Sequence, residues 1–164
     1  TIMTMISKEL CDEINAQVGR EYGASFQYVS IATYFDGQAL RKLADLFYKQ
    51  AAEEQEHAMK FVKYIVETGG EVVIPPVAAP KAKFASAEEA IALALKWEEE
   101  VTAQVNHLMD VAVAKKDYLG QQFLAWFVTE QLEEVSSMQT LLQVVQRAGE
   151  KNLLMLEAYL THAD

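Results

Sequence analysis

The sequence predicts an all-α protein: a four-helix bundle with a long crossover between its second and third helices and a short fifth helix at the C-terminus. Three observations carry that expectation. Apolar residues recur with helical period over four long stretches, all three prolines fall between the second and third of these, and a short apolar run follows the glycine that closes the fourth.

The first stretch runs from about Ser7, an N-cap residue, to Gly37 without a proline. Its stripe of Ile14, Glu21, Tyr28 and Phe35 advances by sevens, with Val18, Ser25 and Ala32 on the same face. A helix of this extent, roughly 30 residues or ~45 Å, belongs in a bundle. The second begins near Leu40 and carries Leu43, Phe47, Ala51, Glu54, His57 or Ala58, Phe61 and Ile65 before the Gly69-Gly70 stop. Residues 71–85 hold Pro75, Pro76 and Pro80; at ~3.3 Å per residue such a segment reaches ~50 Å, far beyond a hairpin's need. It can run the length of the bundle and make the second and third helices parallel. Ser86, followed by Glu88 and Glu89, opens the third helix, whose stripe is Ile91, Leu95, Glu98, Thr102, Val105, Met109 and Ala112 up to the Lys115-Lys116-Asp117 turn. After Gly120 the fourth carries Phe123, Phe127, Gln131, Glu134, Met138, Leu141 and Val145 and stops at Gly149. The run Leu153–Leu160 is too short to stand alone and too apolar for water, so it should pack on the bundle or on another copy of the chain. The whole reads as a single domain over residues 1–164, with the bundle at about 7–149 and the short helix at about 152–162.

Composition narrows the function. The chain has 164 residues, 51% hydrophobic and 23% charged, enough for a sizeable core and unlike a disordered chain. No apolar run is long enough to cross a bilayer, and the N-terminal Thr1–Ile6 lacks the basic lead of a signal peptide, so a cytoplasmic location is expected. Twenty-four acidic residues against 14 basic give a net charge of −10, which favours cations over nucleic acid or anionic membrane. A single cysteine, Cys11, excludes an internal disulfide or a cysteine-based metal knuckle and falls on an apolar stripe.

Each of the four stripes is interrupted by an acid near its midpoint: Glu21, Glu54, Glu98 and Glu134. In a side-by-side bundle these meet at one depth whichever way each helix runs. Four carboxylates away from bulk water cannot all ionise unaided, and burying one unpaired charge costs several kcal/mol. No lysine or arginine lies on the stripes at that depth. Two divalent cations would balance four carboxylates, with His57, three residues after Glu54 and so on its face, as a neutral nitrogen ligand. Oxygen-rich ligation with one imidazole suits iron or manganese better than tetrahedral zinc. Glu53, Glu130 and Glu133 flank the stripes.

Over nearly its full length the chain resembles the non-haem, bacterial-type ferritins, through Glu21 with Tyr28 seven later, Glu53-Glu54-Gln55-Glu56-His57, Glu98, and Glu130-Gln131-Leu132-Glu133-Glu134. The resemblance implies the ferritin-like fold and a di-iron site with ferroxidase activity. One iron would lie on Glu21, Glu54 and His57; the second on Glu54 and Glu98, with Gln131 or Glu134 close by. A third iron would fall to Glu53, Glu130, Glu133 and Glu134. Fe(II) and O2 or H2O2 would be the substrates, Tyr28 an electron or hydrogen-bond donor, and the product ferric mineral inside a hollow 24-subunit homo-oligomer without haem. The Leu153–Leu160 run would be the fifth helix at the four-fold axis. Gln121 and Leu124 would stand where animal ferritins have acidic three-fold pores.

Rival readings are weaker. A bacterioferritin would show a haem-ligating methionine at Gln55 and a second Glu-x-x-His, a rubrerythrin a cysteine-rich iron domain, and a di-metal oxidase a substrate pocket without need of the C-terminal run. A purely structural bundle would not carry four acids on core stripes. Tyr34, Trp97 and Trp126 are expected to pack, and His107 and His162, which have no partners at metal spacing, to face solvent.

Overall fold

The computed structural model describes residues 3–162, with the side chain of His162 outside the described set. Five helices follow one another: α1 (Lys8–Gly37), α2 (Arg41–Glu67), α3 (Ala87–Ala114), α4 (Tyr118–Ala148) and, after a 3-10 turn at Glu150–Asn152, α5 (Leu153–His162). No strand occurs among the described residues.

Local chemistry sets the helix ends. The Ser7 hydroxyl accepts from Leu10 N at 3.1 Å and the Ser86 hydroxyl from Glu89 N at 3.1 Å, satisfying donors that the first turn leaves free. The fourth helix begins before Gly120, at Tyr118, because Asp117 caps it by accepting from Gly120 N at 2.8 Å. Three helices close alike, with Leu40 N, Gly70 N and Asp117 N each donating to the carbonyl five residues back. The left-handed residue of each closure is Ala39, Gly69 or Lys116. Gly37, expected as the stop, is the last helical residue, and Ala39 makes the turn.

α1 packs antiparallel on α2, as Tyr22–Met59 and Asp36–Tyr48 require, and on α3, as Tyr28–Glu98 and Gln17–Gln104 require, and α3 packs antiparallel on α4, through Glu98–Gln131 and Glu88–Gln146. The second and third helices are therefore parallel, joined by the crossover of residues 70–86. Two buried α1 amides hold that crossover. Asn15 donates to Glu71 O at 2.9 Å and accepts from Val73 N at 2.7 Å; Gln27 donates to Lys81 O at 3.0 Å and accepts from Lys81 N at 2.9 Å. Gly19 lets the segment lie close, for a Cβ there would come within 2.6 Å of Pro75.

The core falls into two apolar clusters. One gathers Tyr28, Phe35, Phe47, Ile91 and Met138; the other Leu10, Ile14, Phe61, Leu108, Leu124 and Phe127. Between them lies a layer of buried polar residues from four helices. Leu95, Thr102, Met109 and Phe123, read as core positions, are only half-buried. Leu124 is wholly buried inside the subunit, so it cannot line a pore.

The C-terminal run docks on α2 and α4, with Leu156 buried and Leu153 and Leu160 packed beside it, while Leu154, Met155 and Tyr159 stay exposed. Its attachment is also polar. The Glu157 carboxylate accepts from Lys42 N at 2.8 Å and Leu43 N at 2.9 Å, capping α2, which has no side-chain cap of its own. Glu150 likewise accepts from Ala87 N at 2.6 Å, at the start of α3.

Candidate metal centre

The polar layer holds Glu21 from α1, Glu54 and His57 from α2, Glu98 from α3, and Gln131 and Glu134 from α4, none more than 6% exposed. Each acid stands where its stripe placed it, and the antiparallel packing brings the four to one depth. His57 Nδ1 lies 3.3 Å from Glu54 Oε2 and 3.9 Å from Glu21 Oε2. Both oxygens are buried without a hydrogen-bond partner. Two donors of one cation, each ~2.1 Å from it, stand ~3 Å apart when adjacent and ~4 Å when opposite. The spacing and the empty valences fit a shared ion.

Three donor groups each converge within 4.8 Å: Glu21, Glu54 and His57; Glu54, Glu98 and Glu134; and His57, Glu130 and Glu134. Glu54 belongs to the first two, so two ions would share it. Of the expected third site, Glu130 and Glu134 meet at His57, a partner the sequence did not suggest there. Glu53 and Glu133 line the neighbouring cleft of about 570 Å³ between α2 and α4 but join none of the three groups. Gln131 stands beside the second group. Its Nε2 donates to Glu98 Oε2 at 3.2 Å and Thr102 Oγ1 at 3.1 Å, which orients Glu98.

Burial and mutual repulsion show in the acidities. Glu21 is raised well above the ordinary carboxyl range, first by desolvation and then by the charge of Glu54. Glu54 is raised well above the ordinary carboxyl range, first by desolvation, with the nearby Glu21 opposing and the charges of Glu98 and Glu134 adding. Glu134 is pushed up to about 8, by desolvation first and Glu98 next. Among the described residues no lysine or arginine pairs with any of the four. Without a cation the layer must take up protons; with one it can stay ionised.

The surrounding groups are specific. The Tyr28 hydroxyl, wholly buried, donates to Glu98 Oε1, and desolvation beside the Glu98 and Glu54 charges keeps it a neutral phenol. Two glutamines that the sequence reading passed over sit one turn before a glutamate and donate to it: Gln17 to Glu21 Oε1 at 3.1 Å, and Gln50 to Glu54 Oε1 at 3.3 Å. Gln50 also donates to Glu134. The sequence shows polar Gln17 on the apolar face of α1 four residues ahead of Glu21, but not what its amide bonds to. Trp126 packs as expected, but against the site: its ring meets His57 edge-on with centroids 5.4 Å apart, and Lys60 Nζ sits 3.1 Å over it. His107 is exposed, with Nε2 3.6 Å from Glu13 Oε2.

Comparison with known proteins points one way. The family profile described as "Ferritin-like domain" matches residues 11–148. "Ferritin BfrB" of Mycolicibacterium smegmatis is 44% identical over 146 residues, 89% of this chain and 80% of that protein. "Bacterial non-heme ferritin" of Staphylococcus aureus is 36% identical over 146 residues, 89% of this chain and 88% of that one. A crystal structure of an open pore ferritin from Archaeoglobus fulgidus superposes with a TM-score of 0.92 at 31% identity, covering 98% of this chain and 99% of that one.

Proposed function

This chain belongs to the ferritin family, and we propose that it stores iron by oxidising Fe(II) at the buried carboxylate layer and passing Fe(III) to a mineral held within a shell of 24 subunits. The observation that carries the reading is the convergence of Glu21 Oε2, Glu54 Oε2 and His57 Nδ1 in a buried layer that no lysine or arginine among the described residues neutralises.

Iron is the substrate here. One Fe(II) would take Glu21, Glu54 and His57; a second would take Glu54, Glu98 and Glu134, and four carboxylates would neutralise both. Each Fe(II) yields one electron, and the pair, with two protons, reduces O2 to H2O2. Sharing Glu54 keeps the ions close enough to act on one oxidant. Gln131 and Tyr28 keep Glu98 turned toward the layer, and Tyr28 is placed to supply a hydrogen bond or an electron. Departing iron meets Glu130, then Glu53 and Glu133 along the cleft, which would serve as the third site and the way out. The exposed Leu154, Met155 and Tyr159 on α5 suit burial against other copies. No described helix is long and apolar enough to cross a membrane, and the reading puts the shell in the cytoplasm.

Anaerobic loading of the iron-free protein with Fe(II), then exposure to O2 with near-ultraviolet absorbance and particle size followed together, tests this. Rapid oxidation of two or three irons per chain, continuing to hundreds per large particle, is expected. Oxidation that halts at two per chain in a small particle would instead indicate a di-metal oxidase.

A further inference from the structure

Glu21 is the one carboxylate of the layer contributed by α1, and its two oxygens differ. Oε2 is buried, unpartnered and turned toward His57; Oε1 is taken by Gln17. A carboxylate with both oxygens free can swing between one-oxygen, two-oxygen and bridging ligation, so whatever pins one oxygen selects the other as donor. Gln17 is wholly buried, and both the oxygen and the nitrogen of its amide are hydrogen-bonded. Its Oε1 accepts from Arg20 Nη1 at 3.3 Å, and its Nε2 donates to Glu21 Oε1 at 3.1 Å and to Gln104 Oε1 at 3.2 Å. Arginine can only donate, so Arg20 holds the amide oxygen on its own side and turns the NH2 toward Glu21. Arg20 is half-buried and lines the groove beneath Pro75–Pro80 on the outside of α1, so the chain of contacts runs from that groove to the metal layer.

We propose that Gln17 is a positioning residue that commits Glu21 to bind metal through Oε2 alone, and that Arg20 fixes the amide orientation in which Gln17 does so. The inference rests on the di-metal reading of the layer. An ordinary buried amide would serve packing alone, and leucine, of similar size, would replace it without favouring one metal site over the other.

The test is Co(II) binding to the iron-free, full-length protein by calorimetry, for the parent, Gln17→Leu and Arg20→Met. The imidazole resonance shifted by paramagnetic Co(II) identifies the ion on His57. In Gln17→Leu that ion should bind about tenfold more weakly or worse, the size of effect that loss of a group supporting a ligand brings, while the ion on Glu98 and Glu134 binds as in the parent. Arg20→Met should weaken the same ion, by less. Unchanged binding of both ions in both variants, or equal weakening of both ions, overturns the proposal. If Gln17→Leu does not fold, Arg20→Met decides alone: selective weakening supports the proposal, and unchanged binding sinks it. A parent that binds no Co(II) in the bundle overturns the di-metal reading, a result distinct from failure of the Gln17 proposal on a parent that binds two.

Discussion

At His57 one imidazole nitrogen faces two carboxylate oxygens that have no other partner, so removing it takes away the one nitrogen donor proposed for that ion. His57→Ala should slow the initial oxidation of Fe(II) by tenfold or more, about the loss expected when a group holding the metal is deleted, while circular dichroism stays helical; stopped-flow absorbance checks it. Tyr28→Phe removes the donor to Glu98 but no metal donor. Metal binding by calorimetry should persist while the oxidation that follows the first turnover slows; loss of a bound ion would contradict the assigned role. Glu134 gives a pH dependence. Its folded acidity, about 8 against an ordinary 4.5, means that between those values the folded metal-free protein holds a proton that the unfolded chain has released. That contribution is full below the unfolded value and lost as pH rises through 8. The Tm of metal-stripped protein should therefore fall from pH 5 to pH 8, and Zn(II) should reverse the trend by replacing the proton. The four buried acids were legible because each breaks an apolar stripe at one depth. Gln17 and Gln50 were not, because an uncharged amide on a core face costs little when hydrogen-bonded, and only the folded geometry shows what it bonds to.

The elements follow the same division. Helices α1 to α4 were readable from period, caps and glycines, because those signals act within a few residues of the chain. The start of α4 was missed by a few residues because Asp117 was read as part of a turn and not as a cap. What holds the crossover and α5 is non-local. Asn15 and Gln27 reach across 56 and 54 residues to loop carbonyls, and Glu157 reaches across 115 to the first amide of α2 that it caps. No periodicity reports such pairs. Glu157→Ala should leave the α2 start uncapped at a cost of about 1 kcal/mol, seen as a Tm lower by about 3 °C. An unchanged Tm would show that water caps α2 equally well.

For the whole molecule, two apolar clusters on either side of a polar layer make a bundle that is apolar toward its ends and polar at its middle. The layer sacrifices apolar burial at the depth where every helix could have contributed a leucine, which is the mark of a site kept for its ligands. The apolar residues that α5 leaves exposed after docking are the surface that the proposed shell would bury. Deleting residues 153–164 should yield smaller particles by light scattering and poor retention of mineral, whereas an intact iron-filled shell would make the segment dispensable. The claim on which all of this depends is that two irons share Glu54 inside each bundle. Anomalous diffraction at the iron edge, from crystals loaded anaerobically with Fe(II), measures that directly. Two peaks are predicted in every subunit, one among Glu21, Glu54 and His57 and one among Glu54, Glu98 and Glu134. Iron found only on the outer surface, with the layer empty, would contradict it.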